Sequence, residues 1–438
     1  MSVRIVSLCA LVSAFVSFGV DAAEPPTAAL DAYVRKPDSS TSNRVISTSE
    51  TPLGRVVRFQ FTSQTWQEIP WKHALGVVIP KEEKYPDAML LFITGGAIGG
   101  ELRDGDLGLA FSLAKSCGAR VAVLPQVPNQ PLLGDRKEDS LIAETFVRYL
   151  ETKDANWPLL FPMVKSAVKA MDVLQAWGEA EGKPVRRFVV TGASKRGWTT
   201  WLTGASDPRV AAICPMVIPT LNFKAQNEHQ IASFGKYSEQ IDDYTSRGLM
   251  ERIKEPEGEV LWRMVDPLSF RDRLRMPKLQ INGTNDPYWT VDSLNIYWDE
   301  LEGPSRVVYL PNAGHGLDKH REYALQAVGA QFHNAIGGKA LPELSWKHDR
   351  DASGKFRLTI ESSPAPKAVK LWTATSATKD FRKSEWTSRD LEPSAKIEAT
   401  PADVAGANIA YFGDLTFEIE GQPFHLSTQI RQFPVEKK

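Results

Sequence analysis

Ser194, Asp286 and His315 are three side chains of the right types, in a workable order, for acyl transfer. A serine hydroxyl is a weak nucleophile until a base takes its proton. An imidazole serves as that base when a carboxylate fixes its tautomer and orientation. The serine lies in VVTGASKRGWTTWL, from Val189 to Leu202. The β-branched run Phe188 to Thr191 reads as a buried strand end, and a helix-compatible run begins near Arg196. Ser194 therefore occupies a sharp strand-to-helix turn, the geometry of a nucleophile elbow. Such a turn projects the hydroxyl beyond the strand and leaves it beside unbonded helix N–H groups, which can stabilise an oxyanion. The usual elbow spacing is G-x-S-x-G. Here Gly192 is two before the serine, Arg196 stands two after it, and Gly197 comes one place late. Alone, this relaxed pattern also describes an ordinary N-cap serine.

The acid and base candidates follow later strands. After Lys278 to Asn282 comes Gly283-Thr284-Asn285-Asp286-Pro287. The competing acids are Asp266 and Asp272, which precede that strand, and Asp292, which falls in the next predicted helix. After Arg306 to Leu310 comes Pro311-Asn312-Ala313-Gly314-His315-Gly316. Of seven histidines, His73 falls in a hairpin, His320 and His333 in the last helix, and His348 and His425 in the C-terminal region, leaving His229 as the rival. An oxyanion hole would use the N–H of Lys195 and the loop Gly95-Gly96-Ala97. Lys195 and Arg196 are cations at a helix start, where they oppose the dipole. One expectation is that they meet an anionic group on the substrate. Arg196, Trp289 and His229 are the candidate substrate contacts. No Cys/His cluster has zinc-site spacing, so neither a metal nor a cofactor is expected.

The elements that must position these residues alternate. Val56 to Phe61 and His73 to Pro80 read as a hairpin. Ala88 to Thr94, Arg120 to Leu124, Val185 to Thr191, Val210 to Val217, Pro277 to Asn282 and Arg306 to Leu310 read as buried strands. Helices are predicted at Leu107 to Ser116, Asp139 to Glu151, Pro162 to Glu181, Val291 to Leu301 and Asp318 to Ile336. Such alternation specifies a mostly parallel sheet with helices on both faces. Antiparallel strands first, then alternation with an insertion, is the order of an α/β-hydrolase fold. The stretch 218–270 is too long for a simple loop and reads as a helical insertion that covers the pocket. From Leu344 the helical periodicity stops, and short alternating strands predict a C-terminal β-sandwich domain over 344–438. The hydrolase-like domain is expected to span 24–338.

Residues 1–22 have a basic start at Arg4 and an apolar run to Val20, the pattern of a signal peptide cleaved after Ala22. The expected location is therefore periplasmic or secreted. A net charge of −1 suggests no nucleic-acid partner, and no later stretch is long and apolar enough for a membrane span. The expected partner is a small-molecule or peptide substrate; composition leaves oligomeric state open. Cys117 and Cys214 could pair after export, but their spacing does not demand it.

Several segments together resemble the PhoPQ-activated pathogenicity-related protein family: SQTW (63–66), FITGG (92–96), QVPNQPL (126–132), PMVKSAVKAMD (162–172), TGASKRGWTTWL (191–202), DPRV (207–210), the YW and VDSL pieces at 288–294, and PNAGHGL (311–317). The resemblance implies an exported protein of α/β-hydrolase-like fold, linked by name to virulence regulation, with Ser194, Asp286 and His315 as its triad. The relaxed elbow is then the family's own form. GASKRG is also similar to the G-C-S-R-x-G elbow of glucuronoyl esterases, which hydrolyse esters of sugar acids. Three readings stay open: a serine hydrolase of ester or amide, with exopeptidase-like and sugar-acid esterase variants, or a non-catalytic binding or signalling protein on a hydrolase scaffold.

Overall fold

A computed structural model describes residues 25–352, 354–401 and 406–433. The predicted signal peptide lies outside them. The first ten strands are β1 (Ser42–Thr51), β2 (Gly54–Trp66), β3 (Ile69–His73), β4 (Gly76–Pro80), β5 (Ala88–Ile93), β6 (Arg120–Leu124), β7 (Arg187–Ala193), β8 (Val210–Met216), β9 (Lys278–Gly283) and β10 (Ser305–Leu310). They lie in the order β1-β2-β4-β6-β5-β7-β8-β9-β10, with β3 beside β2. Pairing is antiparallel from β1 to β6 and parallel from β6 to β10. This is the mixed, mostly parallel sheet of an α/β-hydrolase.

The period of two along β5 shows why both faces need cover. Met89, Leu91 and Ile93 enter one core, and Ala88, Leu90 and Phe92 enter the other. Helices Leu160–Ala180 and Lys195–Ser206 close the first face, and Asp104–Cys117 and Arg321–Ala335 close the second. Cys117 and Cys214 are both buried and free. Among the described residues, no helix is long and apolar enough to cross a membrane.

Two expectations needed correction, and one strand had not been expected. β1 was unforeseen: most of its residues are exposed, so it carries no apolar alternation and is held as a hairpin with β2. The helix expected over Val291 to Leu301 is instead a pair of short 3₁₀ turns, Ser293–Ile296 and Trp298–Glu300. The closing helix starts at Arg321, after a turn that includes a left-handed His320. Between β8 and β9 the chain is helical, with segments Phe223–Phe234, Asp242–Thr245, Leu249–Arg252 and Pro256–Val265.

The C-terminal strands are β11 (Glu343–Arg350), β12 (Phe356–Ser363), β13 (Ala368–Ser376), β14 (Thr387–Leu391), β15 (Lys396–Ala399), β16 (Asn408–Ile419), β17 (Gln422–Ser427) and β18 (Arg431–Phe433). β11, β12 and β15 form a separate three-stranded sheet. Its Leu358 and Ile360 share a core with Leu371 and Leu415 of the facing sheet, which makes the sandwich. That facing sheet is not independent. β17 lies antiparallel to β10 through Val307 and Ser427, so the β17-β16-β13-β14 layer continues the hydrolase sheet.

Candidate active site

β7 ends at Ala193, and the following helix begins at Lys195. Ser194 joins them at φ 60° and ψ −124°, a strained conformation for a residue with a side chain. The packing explains the displaced glycine. A Cβ on Gly192 would lie 2.8 Å from the Arg196 carbonyl oxygen, and one on Gly197 would lie 2.8 Å from the Met216 carbonyl oxygen. Gly197 is therefore the residue at which the helix touches the end of β8. Position 196 faces elsewhere and tolerates a long side chain.

The acid and base loops meet just as closely. A Cβ on Gly283 would lie 2.4 Å from the Ala313 carbonyl oxygen. The Asn285 N–H donates to that same oxygen at 2.9 Å. The contact brings Asp286 and His315 together: His315 Nδ1 lies 2.7 Å from Asp286 Oδ2, and Nε2 lies 2.9 Å from Ser194 Oγ. A carboxylate only accepts, so Nδ1 carries the proton and Nε2 accepts the serine O–H. The other carboxylate oxygen, Oδ1, accepts the Tyr288 N–H at 2.9 Å. The Tyr288 ring lies over the imidazole, with centroids 4.2 Å apart. Thus Ser194, Asp286 and His315 form one hydrogen-bonded chain.

The rival residues have other partners. Asp266 accepts the N–H groups of Asn222, Phe223 and Leu268, and burial raises its pKa to about 6 against those bonds. His229 Nε2 is bonded to Asp292 at 2.7 Å, away from Ser194.

Arg196 needs a different account from the one its charge suggested. Its Nη1 and Nη2 pair with Glu138 at 2.6 and 2.7 Å, and its Nε donates to the Val127 carbonyl at 2.5 Å. It is buried and does not line the pocket at Ser194. Burial pushes the Glu138 carboxyl up, but Arg196, Gln130 and Lys195 outweigh it and hold the pKa at about 2. Lys195 does line the pocket, with Nζ 2.6 Å from Asp139. The cations at this helix start are therefore neutralised by Glu138 and Asp139. Both acids sit in the first turn of Glu138–Thr152, where a helix favours negative charge. The loop 126–132 holds this cluster: Gln130 bonds the Glu138 N–H and carboxylate through its amide.

The N–H groups of Lys195, Gly95, Gly96 and Ala97 donate to no acceptor among the described residues. Gly95 abuts Arg196, since a Cβ there would lie 2.5 Å from Nη2. The loop after β5 thus packs against the start of the elbow helix.

The pocket beside Ser194 and His315 is walled by Trp198, Phe223, Tyr244, Trp262 and Trp289. Trp289 is the one of the three proposed substrate contacts that lines it. The insertion contributes Phe223, Tyr244 and Trp262, whose positions show no helical stripe in the sequence. Asp139 was also missed. Its neighbours come from other segments: Tyr244 Oη donates to it at 2.9 Å. Burial first, then the Asp139 charge, raises the Tyr288 pKa to about 12.

The C-terminal region reaches the same loops. Asn285 Nδ2 donates to the carbonyls of Arg382 and Ser384 at 3.2 and 2.7 Å. Asn312 bonds both the N–H and the carbonyl of Trp386, at 2.8 and 2.9 Å. Arg382 lies over the Phe234 ring at 3.9 Å and pairs with Glu239 at 3.2 Å. The β13–β14 connection therefore straps the acid loop, the base loop and the insertion together.

The sheet order and the strained serine at the carboxyl end of β7 define an α/β-hydrolase scaffold. The chain belongs to the PhoPQ-activated pathogenicity-related protein family, whose pattern matches residues 30–382. It is 34% identical over 379 residues to autocrine proliferation repressor protein A of Dictyostelium discoideum, covering 81% of this chain and 76% of that protein. Among solved structures it is similar to an acetyl xylan esterase from Paenibacillus sp. R4, at TM-score 0.48 and 16% identity, over 70% of this chain and 92% of that one. It is also similar to a glucuronoyl esterase from Solibacter usitatus, at TM-score 0.43 and 15% identity, over 70% and 92% of the two chains.

Proposed function

We propose that this chain is an exported serine hydrolase that cleaves an ester or amide through an acyl-enzyme. One observation carries the reading: His315 bridges Ser194 Oγ at 2.9 Å and Asp286 at 2.7 Å, with the serine held at φ 60°. Ser194 Oγ attacks the carbonyl carbon as His315 Nε2 takes its proton. Asp286 keeps the proton on Nδ1 and stabilises the imidazolium. The N–H of Lys195 and one from the Gly95–Gly96 loop bind the oxyanion, where a single donor is typically worth ~3 kcal/mol. His315 returns the proton to the leaving alcohol or amine. Water then attacks the acyl group with His315 again as base, which releases the acid and restores the serine.

An alkyl fluorophosphonate tests this directly. One adduct on Ser194, absent from Ser194→Ala, is expected. A folded protein that takes no label, or a Ser194→Ala variant that still does, refutes the proposal. Export rests on the leader-like residues 1–22; amino-terminal sequencing of secreted protein should begin at Ala23.

The relative's name, a repressor of proliferation, favours a second reading in which the scaffold signals without turnover. Ser194→Ala separates the two. A biological effect that survives the substitution supports signalling, and one that disappears supports hydrolysis.

A further inference from the structure

The pocket beside Ser194 has walls that are mostly aromatic and aliphatic, with Thr220 and Asn227 as neutral polar members, and a single pair of opposite charges. Trp198 and Phe223 meet with ring centroids 5.0 Å apart, and Phe223 and Trp262 at 4.8 Å. Ile218, Ile241 and Met250 add aliphatic lining. The Trp198 indole N–H is fixed on the Val265 carbonyl at 2.6 Å, which ties the elbow helix to the insertion and holds these walls in place. Two charged side chains of opposite sign also line the space, Lys195 and Asp139, and they pair with each other at 2.6 Å. Asp139 further accepts the Tyr244 hydroxyl at 2.9 Å, and Lys195 Nζ has Glu138 at 3.8 Å. An incoming carboxylate would have to compete with Asp139 for Lys195. An incoming ammonium would have to displace Lys195 from Asp139. Either breaks the ion pair of the buried Lys195 with the partly buried Asp139, which is costly. The space is also small, a cavity of about 40 Å³. One water needs ~10–15 Å³ by that measure, so the room suits a few heavy atoms.

We infer that this pocket selects substrates carrying a compact, uncharged aliphatic group on one flank of the scissile bond, and rejects groups bearing a carboxylate or an ammonium. The inference rests on the hydrolase reading and adds to it a substrate class. It counts against a free amino terminus or a sugar carboxylate being bound in this space.

The test is a panel of p-nitrophenyl esters, acetate through hexanoate, with the monosuccinate and the β-alanine ester as charged members. A matched set of acetate esters varies the alcohol side and has 2-carboxyethyl and 2-aminoethyl members. One of the two sets should gain about fourfold in kcat/KM per methylene up to four or five carbons and then level off, since each buried CH₂ contributes ~0.8 kcal/mol. In the set that shows the gain, the charged esters should fall at least tenfold below neutral esters of equal length. The variants Ile241→Trp and Met250→Trp, which fill the pocket, should flatten the gain while a small fluorophosphonate still labels Ser194. Charged esters that match their neutral counterparts overturn the inference, as does the absence of a chain-length gain in both sets. A gain that survives in either folded filler variant overturns it too. Labelling of Ser194 alongside any of these results leaves the hydrolase reading standing, whereas failure to label removes both.

Discussion

Ser194 with His315 and Ser63 with His73 are both serine–imidazole pairs joined at 2.9 Å through Nε2. The tautomers match as well. His73 Nδ1 faces the Pro125 carbonyl at 2.9 Å, and a carbonyl, like a carboxylate, only accepts. In both pairs Nδ1 holds the proton and Nε2 is free to accept. What differs is the surroundings. Behind His315 stands a carboxylate that balances an imidazolium; behind His73 stands a neutral carbonyl. Ser194 is strained at the head of a helix and opens to a pocket. Ser63 is fully buried in β2, at an irregularity of its pairing with β3, and its hydroxyl also meets Ser166 at 3.0 Å. Burial lowers the His73 pKa to about 4, with the Pro125 bond acting weakly the other way. That ring is built to stay neutral, so it cannot take a proton from its serine at neutral pH. On the proposed reading, it is the counter-charge, the strained serine and access that make one serine–histidine contact a catalytic unit and leave the other structural.

The comparison breaks most sharply at the counter-charge. Asp286→Asn should preserve the shape of the site while favouring the wrong imidazole tautomer, and it should lower kcat by about 10⁴. Fluorophosphonate labelling should slow in parallel. Ser63→Ala, which removes the hydroxyl from the other pair, should leave labelling of Ser194 within a few-fold of the parent. Comparable losses in the two variants would mean that the carboxylate is not what separates the pairs.

A smaller effect is expected at the strap. Asn312 is held to the Trp386 backbone by two hydrogen bonds, and it lies three residues before His315 on the same loop. Asn312→Ala frees that loop without touching the pocket walls. A displacement of about 1 Å at a reacting group can cost on the order of 10²-fold in rate. The expected outcome is a 10- to 100-fold loss in kcat with KM nearly unchanged, and partial recovery in Asn312→Asp, which keeps an acceptor for the Trp386 N–H. A purely structural role would instead lower the melting temperature and leave kcat of the folded protein intact. Ser63 and His73 sit in strands, and the backbone on either side of His73 is bonded by Gln126 and Asn129 rather than by the C-terminal region.

The parts of this arrangement that were legible in the sequence are those written locally. The elbow, Gly283 to Asp286 and Gly314 to His315 each follow a β-rich run at short range, so order along the chain conveyed their place above the sheet. The parallel strands were legible because burial on both faces demands continuous apolar runs. The counterions of Lys195 and Arg196 were not, because Glu138 and Asp139 are over fifty residues away and look like ordinary first-turn acids. Arg196 was consequently assigned a substrate that the salt bridge to Glu138 replaces. The pocket walls were hidden for a related reason. Phe223, Tyr244 and Trp262 come from separate short helices with no common period, and only tertiary packing gathers them. β1 was hidden because an exposed strand needs no apolar alternation. The join between β17 and β10 depends on one long-range register that no local signal encodes.

The smallest expected effect concerns stability rather than rate, and it probes the buried pair. With the folded pKa of His73 near 4 and an unfolded value near 6.5, the unfolded chain binds a proton between those limits while the folded protein does not. The neutral ring's contribution is intact above the unfolded value. It is lost as pH falls, by up to about 1.4 kcal/mol per pH unit and about 3 kcal/mol in all. His348, held near 3 mainly by burial, acts in the same direction, so the parent protein alone cannot isolate His73. Urea unfolding of parent and His73→Gln at pH 7.5 and 4.5 does isolate it. Glutamine has no proton to gain in this range, so the variant should be less stable at pH 7.5 yet lose about 2–3 kcal/mol less on acidification. Equal acid sensitivity in the two proteins would mean that His73 titrates normally when folded. Its difference from His315 would then lie in the Asp286 carboxylate, strain and access, with no part played by burial of the His73 ring.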